Sequence, residues 1–70
     1  KKKRQFQYMI YNYINDKRNG VEWPREDIMA MQGLHSYYRM VEPEAIDAIV
    51  LHTNEKLGVD VIRTIKEDLR

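Results

Sequence analysis

Apolar residues recur at helical spacing in four stretches of this chain, and glycine or proline separates each stretch from the next. We predict the first helix from about Arg4 to Lys17. Its apolar residues lie at i, i+3, i+4, i+7 and i+8, and they are Phe6, Met9, Ile10, Tyr13 and Ile14. This spacing places them along one side of an amphipathic helix. Asn19-Gly20 then ends the helix, because both residues tolerate the left-handed backbone found at many helix C-termini.

The second helix is predicted from about Pro24 to Met40. Proline is favoured in a first helical turn, where its missing N–H is no loss, and acidic residues follow it at the positive end of the helix dipole. Trp23, just before this turn, is expected to pack across the start of the helix. The residues on its inward side are Ile28, Met31, Leu34, His35 and Tyr38.

A third helix is predicted to begin at Pro43 and to end before Gly58, and a fourth follows from about Asp60. Val59 and Val61 favour a strand locally, but a lone strand has nothing to pair with, so helix is preferred. The pattern predicts an all-α fold. We expect one domain over residues 1–70, a small bundle of three to four helices with short loops.

Length and composition exclude several classes of protein. Seventy residues make one domain with a thin core, and the chain has no cysteine for a disulfide or a thiolate metal site. No apolar run approaches the roughly 18 residues that a membrane-spanning helix needs. We therefore expect a soluble, cytoplasmic protein without a membrane partner.

The residue types that carry catalysis do not form a recognisable set. His35 and His52 lie 17 positions apart without other ligands at metal-binding spacing. Ser36 beside His35 is no catalytic pair, since adjacent helical residues do not face each other. The Glu67-Asp68 pair is expected to lie on a solvated face. We predict no catalytic residue, no metal site and no cofactor in this chain.

Charge is distributed unevenly along the sequence. Residues 1–40 contain eight Lys or Arg and four Asp or Glu, whereas residues 41–70 contain four and seven. A domain polarised in this way can turn a basic face towards a polyanion. The function class favoured by this pattern is nucleic-acid binding.

Basic and aromatic residues alternate in the front part of the chain. Lys and Arg neutralise phosphates, and aromatic rings among them stack on bases or pack on sugars. The alternative is a solubilising terminus followed by tyrosines that serve helix packing. The candidate nucleic-acid contacts from this part are Lys2, Lys3, Arg4, Tyr8, Tyr11, Lys17 and Arg18.

A second cluster follows in the second predicted helix, where residues 32–39 read QGLHSYYR and residues 41–44 read VEPE. This run resembles the thumb (maturase-like) region of bacterial retron- and group-II-intron-type reverse transcriptases. In that family a helix with a small-Gly-Leu-x-x-Tyr pattern is followed by a polar break and another helix. The resemblance covers most of the chain and is specific over about Met31 to Ile46.

The resemblance implies a helical bundle that follows the polymerase palm and lies along the RNA and DNA of the template–primer duplex. The chain would then be a segment of a longer polymerase that uses Mg. The catalytic Tyr/Phe-x-Asp-Asp motif of the palm does not occur in this sequence. The helix that would face the duplex carries Gly33, His35, Ser36, Tyr37 and Arg39.

Gly33 has two explanations at this point. A glycine inside a helix costs about 1 kcal/mol relative to alanine. It allows either close packing against another helix or close approach of a nucleic-acid duplex. A rival function stays open as well, a protein-interaction module of a phage or plasmid replication-initiation or primosome accessory protein. That module would bind partners through exposed Tyr, Met and Trp residues.

Overall fold

The computed structural model describes residues 2–70, with side chains from residue 3 onwards, and these residues form four α-helices. The helices are α1 (Lys2–Arg18), α2 (Arg25–Val41), α3 (Pro43–Leu57) and α4 (Val61–Asp68). The predicted all-α bundle is confirmed, and the observed boundaries lie within a few residues of those expected. Within this described part, no helix is long and apolar enough to cross a membrane.

The residues expected to end and begin helices do so. Gly20 and Gly58 adopt left-handed backbone with φ of 82° and 66°. The N–H of Gly58 donates to the carbonyl of Asn54 at 2.8 Å, which closes α3. Pro43 is the first residue of α3, and the side chain of Asp60 caps α4 by accepting from the N–H of Arg63 at 3.2 Å.

The core follows the predicted helical stripes. Its buried apolar members are Phe6, Ile10, Tyr13, Ile14, Ile28, Met31, Tyr38, Ile46, Val61 and Ile65. Leu34 and Met9 pack against this core while partly exposed. Thr53 is the buried polar residue, and its hydroxyl donates to the carbonyl of Ile49 at 3.0 Å, so its burial leaves no orphan donor.

Contacts between helix ends define how the helices run. Lys3, near the start of α1, pairs with Glu42 at the start of α3, with 2.6 Å between Nζ and Oε1. Arg18, at the end of α1, donates to the carbonyl of Leu57 at the end of α3. Helices α1 and α3 therefore run in the same direction, and α2 connects them in the opposite direction.

Trp23 has a packing role, as the sequence predicts, but the partners that the structure shows belong to α1 and not to the start of α2. Its ring meets that of Tyr13 edge to face, with 5.4 Å between the ring centroids. Its indole N–H donates to Asp16 Oδ2 at 2.8 Å. The connector before α2 is thus fastened to the last turns of α1.

Candidate nucleic-acid interface

One side of α1 carries a basic and aromatic surface, here called the α1 face. It consists of Arg4, Gln7, Tyr8 and Tyr11, together with Lys56 of α3. The four α1 residues line a shallow concavity of about 250 Å³. Tyr8 is 65% exposed, so its ring is open to a ligand.

Helical spacing explains why these side chains meet. Residues 4, 7, 8 and 11 are separated by three or four positions, so they share one side of α1. Phe6 and Ile10 lie between them in sequence but turn to the core, where both are fully buried. The first acidic residue of the chain is Asp16, so no carboxylate occurs on the first three turns of this helix.

Lys56 completes the α1 face from the other end of the sequence. Its ammonium lies 5.7 Å from the centroid of the Tyr11 ring, within range of a cation–π interaction. Neither Arg4 nor Lys56 forms an ion pair with another described residue. Sequence reasoning missed Lys56, because it belongs to the acidic half of the chain and no local spacing links it to Tyr11.

The other predicted basic residues of α1 form ion pairs or hydrogen bonds within the fold. Lys3 binds Glu42, and Lys17 binds Asp68 with 2.9 Å between Nζ and Oδ1. Arg18 donates to the backbone of α3. These three side chains tie α1 to its neighbours, so they are not grouped with the α1 face. The predicted contribution of Lys2 lies outside the described side chains.

Gly33 and the residues after it divide between two surfaces of α2. The outer α2 face, defined by Met29, Gly33, Ser36, Tyr37 and Met40, is exposed. A Cβ built on Gly33 would meet no atom within 4 Å. The explanation of Gly33 by close helix packing is therefore wrong, because no other helix comes near it. His35 and Arg39 lie on the side of α2 nearer α4, and Ser36 and Met40 lie at the border, because they also line a cleft with residues of α4.

His35 is half-buried and stacks on Phe6, with 6.0 Å between the ring centroids. Burial lowers the pKa of His35 below 6.5, the positive charges of Arg39 and Lys66 lower it further, and Asp47 opposes them. Arg39 forms an ion pair with Asp47 at 3.3 Å, and both side chains are at least half exposed. The predicted site residues are thus distributed over several surfaces.

Asp68 corrects the prediction that the Glu67-Asp68 pair is merely solvated. Its carboxylate accepts a hydrogen bond from the Tyr13 hydroxyl and pairs with Lys17. Burial alone raises the pKa of Asp68, but the bonds from Tyr13 and Lys17 outweigh burial and lower it. Burial and the adjacent carboxylate both raise the pKa of Tyr13. This group fastens the end of α4 to α1.

Within the part of the chain that the structure describes, no three His, Cys, Asp or Glu side chains cluster as metal ligands. Comparison with protein-family models, curated proteins and solved structures gives no match. The resemblance to reverse-transcriptase thumbs therefore stays a prediction, and the functional argument depends on the surfaces of this chain.

Proposed function

We propose that this helical domain binds nucleic acid through the α1 face, without sequence specificity, as a thumb-like accessory domain of a reverse transcriptase. Chemistry would take place elsewhere in the parent polymerase. The observation that carries the proposal is the grouping of two cations, Arg4 and Lys56, with two tyrosine rings on one exposed surface.

Electrostatics supports this surface as a contact for phosphate. Lys3 and Lys17 each have a carboxylate partner within the fold, which offsets part of their field. Arg4 and Lys56 have none among the described residues, so their charge acts on the solvent. Binding of these cations to phosphates would release condensed counterions, which is the main driving force of non-specific nucleic-acid binding.

The tyrosines supply a second, apolar contribution. Tyr8 stands exposed beside Arg4, and the ammonium of Lys56 lies over the ring of Tyr11. Aromatic rings beside cations stack on bases or pack on sugars with little regard to sequence. The wide, shallow minor groove of an A-form hybrid is read by such shape and backbone contacts.

The thumb role has its own support and its own test. Support comes from the resemblance over Met31 to Ile46. The test is the sequence of the gene upstream of this segment. A Tyr/Phe-x-Asp-Asp motif within the preceding couple of hundred codons supports the thumb role, and its absence rejects that role while leaving nucleic-acid binding open.

Binding is tested by fluorescence anisotropy of a labelled RNA–DNA hybrid titrated with the chain at several salt concentrations. We expect salt-dependent binding. The double variant Arg4→Met/Lys56→Met should bind more weakly and lower the slope of log K against log salt by roughly 0.9 for each charge removed. The matched control, Arg63→Met/Arg70→Met, removes two charges outside the α1 face. Absence of binding at low salt, or an equal loss in the control, would reject the proposal.

A second candidate function is protein interaction through the outer α2 face. Met40 is 79% exposed and Tyr37 56% exposed, and Met29 and Val41 are half exposed beside them. Exposed apolar residues grouped on one helix commonly mark a partner surface. Sedimentation at increasing concentration tests self-association through this face, and a monomer at every concentration would count against it.

A further inference from the structure

A cleft between α2 and α4 combines positive charge with an apolar floor. Its volume is about 420 Å³, within the range of small-molecule sites. The side chains that line it are Gln32, His35, Ser36, Arg39, Met40, Ile62, Ile65 and Lys66. We call this the α2–α4 cleft. None of its lining residues belongs to the α1 face, and none is a carboxylate.

The donors of the cleft come from both helices. Helix α2 provides the Arg39 guanidinium, the Ser36 hydroxyl and the Gln32 amide, and α4 provides the Lys66 ammonium. Lys66 has no ion pair with another described residue. Ile62 and Ile65 supply apolar surface beside these donors. The lining therefore suits an anionic group attached to an apolar or aromatic body.

The donor chemistry suits a phosphate group. Arginine binds phosphate oxygens through a planar fork and lysine binds them as a point charge. These donors line the cleft from two helices, and a phosphomonoester has three terminal oxygens to accept from them. Asp47 competes weakly for Arg39, because that pair is 3.3 Å long and exposed, and exposed ion pairs contribute little.

The geometry points to the α2–α4 cleft as a binding site for a phosphomonoester attached to a nucleobase-sized apolar body. Such a group occurs on a free mononucleotide and at the 5′ end of a nucleic-acid strand. The phosphate would lie between Arg39 and Lys66, with the base against Ile62 and Met40. This site shares no residue with the α1 face, so an experiment can reject one of the two proposals without affecting the other.

The two histidines of the chain provide the probe and its internal control. His35 lines the cleft, whereas His52 is exposed on α3. The imidazole resonances of both are followed by NMR from pH 5 to pH 8 with adenosine monophosphate, inorganic phosphate or adenosine. The charged groups that act on His35 are Arg39, Lys66 and Asp47. A bound phosphate offsets the two cations, so we expect the pKa of His35 to rise with adenosine monophosphate and the resonances of His52 to be the same with and without the ligand.

Charge-removing variants locate the site. Arg39→Met and Lys66→Met should each weaken adenosine monophosphate binding about tenfold, because each removes a charge-assisted hydrogen bond. Arg63→Met is the matched control. Arg63 lies on the same helix as Lys66 and has the same charge, but it pairs with Glu67 and does not line the cleft. It should bind like the unsubstituted chain.

Two further ligands distinguish the sources of the phosphate. If a 5′-phosphorylated strand binds more tightly than a 5′-hydroxyl strand, and if Arg39→Met and Lys66→Met remove that difference, the natural ligand is the 5′ end of a strand. If the free mononucleotide binds more tightly than the 5′-phosphorylated strand, the natural ligand is the mononucleotide. The proposal is overturned if adenosine and its monophosphate affect His35 equally, if neither affects it, or if Arg63→Met weakens binding as much as Lys66→Met.

Discussion

Gly33 lies inside a regular helix with negative φ and open space where a Cβ would stand. Neither backbone strain nor packing requires glycine at this position. Replacement Gly33→Ala should raise the free energy of unfolding by about 1 kcal/mol, the usual difference in helix propensity. Urea denaturation measures it. A loss of stability would mean that the added methyl group disturbs the fold, which would contradict the open space seen at Gly33.

Asp68 is the residue whose charge most clearly supports the fold. Because its pKa is lowered in the folded chain, its stabilisation is present above the ordinary value of 3.8 and is lost as pH falls through the folded value. Asp68→Asn should reduce the free energy of unfolding at pH 7 by about 1–2 kcal/mol, since Tyr13 and Lys17 lose a charged partner. Urea denaturation from pH 7 to pH 3 should show this difference shrinking.

The control for that experiment is the adjacent carboxylate. Glu67 forms an exposed i,i+4 pair with Arg63 at 3.6 Å. Exposed pairs contribute roughly 0–1 kcal/mol, so Glu67→Gln should have a small effect at any pH. An equal effect of the two substitutions would contradict the specific role of Asp68.

At the scale of elements, α4 is the helix that depends most on its ends. Eight residues are too few for an independently stable helix. Its first turn is held by the Asp60 cap and by the N–H of Val61, which donates to Asn54 Oδ1 at 2.9 Å. Asp60→Ala should cost about 1 kcal/mol, measured by thermal unfolding. A neutral result would mean that burial of Val61 and Ile65 alone holds α4.

The α1 and outer α2 faces differ in what they should bind, and one exposed tyrosine on each allows a matched test. Tyr8→Ala should weaken binding of an RNA–DNA hybrid by about 1–3 kcal/mol, the usual contribution of a stacking aromatic. Tyr37→Ala should leave that affinity unchanged. Fluorescence anisotropy compares them. The reverse result would assign the hybrid to the helix of Gly33, as the thumb resemblance implies.

The helices and their inward faces were predictable because their signals are local. Periods of three and four residues define a stripe, and Gly20, Pro43 and Gly58 end or begin a helix through their own backbone preferences. Side-chain partners were not predictable in the same way. Lys3 meets Glu42, and Tyr11 meets Lys56, only after the helices pack. The partners are far apart in sequence, so no local pattern around one of them predicts the other.

For the whole molecule, helix packing determines which cationic side chains meet a carboxylate and which stay available to a ligand. The sequence places its positive excess in residues 1–40, yet Lys3, Lys17 and Arg39 meet carboxylates from the acidic half. Folding therefore cancels much of the linear polarity. The positive charge that remains beside exposed aromatic rings lies on the α1 face, and this accounts for the proposal that nucleic acid binds there.

The most direct test of that claim is NMR mapping of the ¹⁵N-labelled chain during titration with an RNA–DNA hybrid at low salt. We predict that the largest shift changes fall on Arg4 to Tyr11 and on Lys56, and that they decline as salt is raised. Changes centred instead on Met29, Gly33 and Tyr37 would contradict the claim, as would a spectrum that the hybrid leaves unchanged.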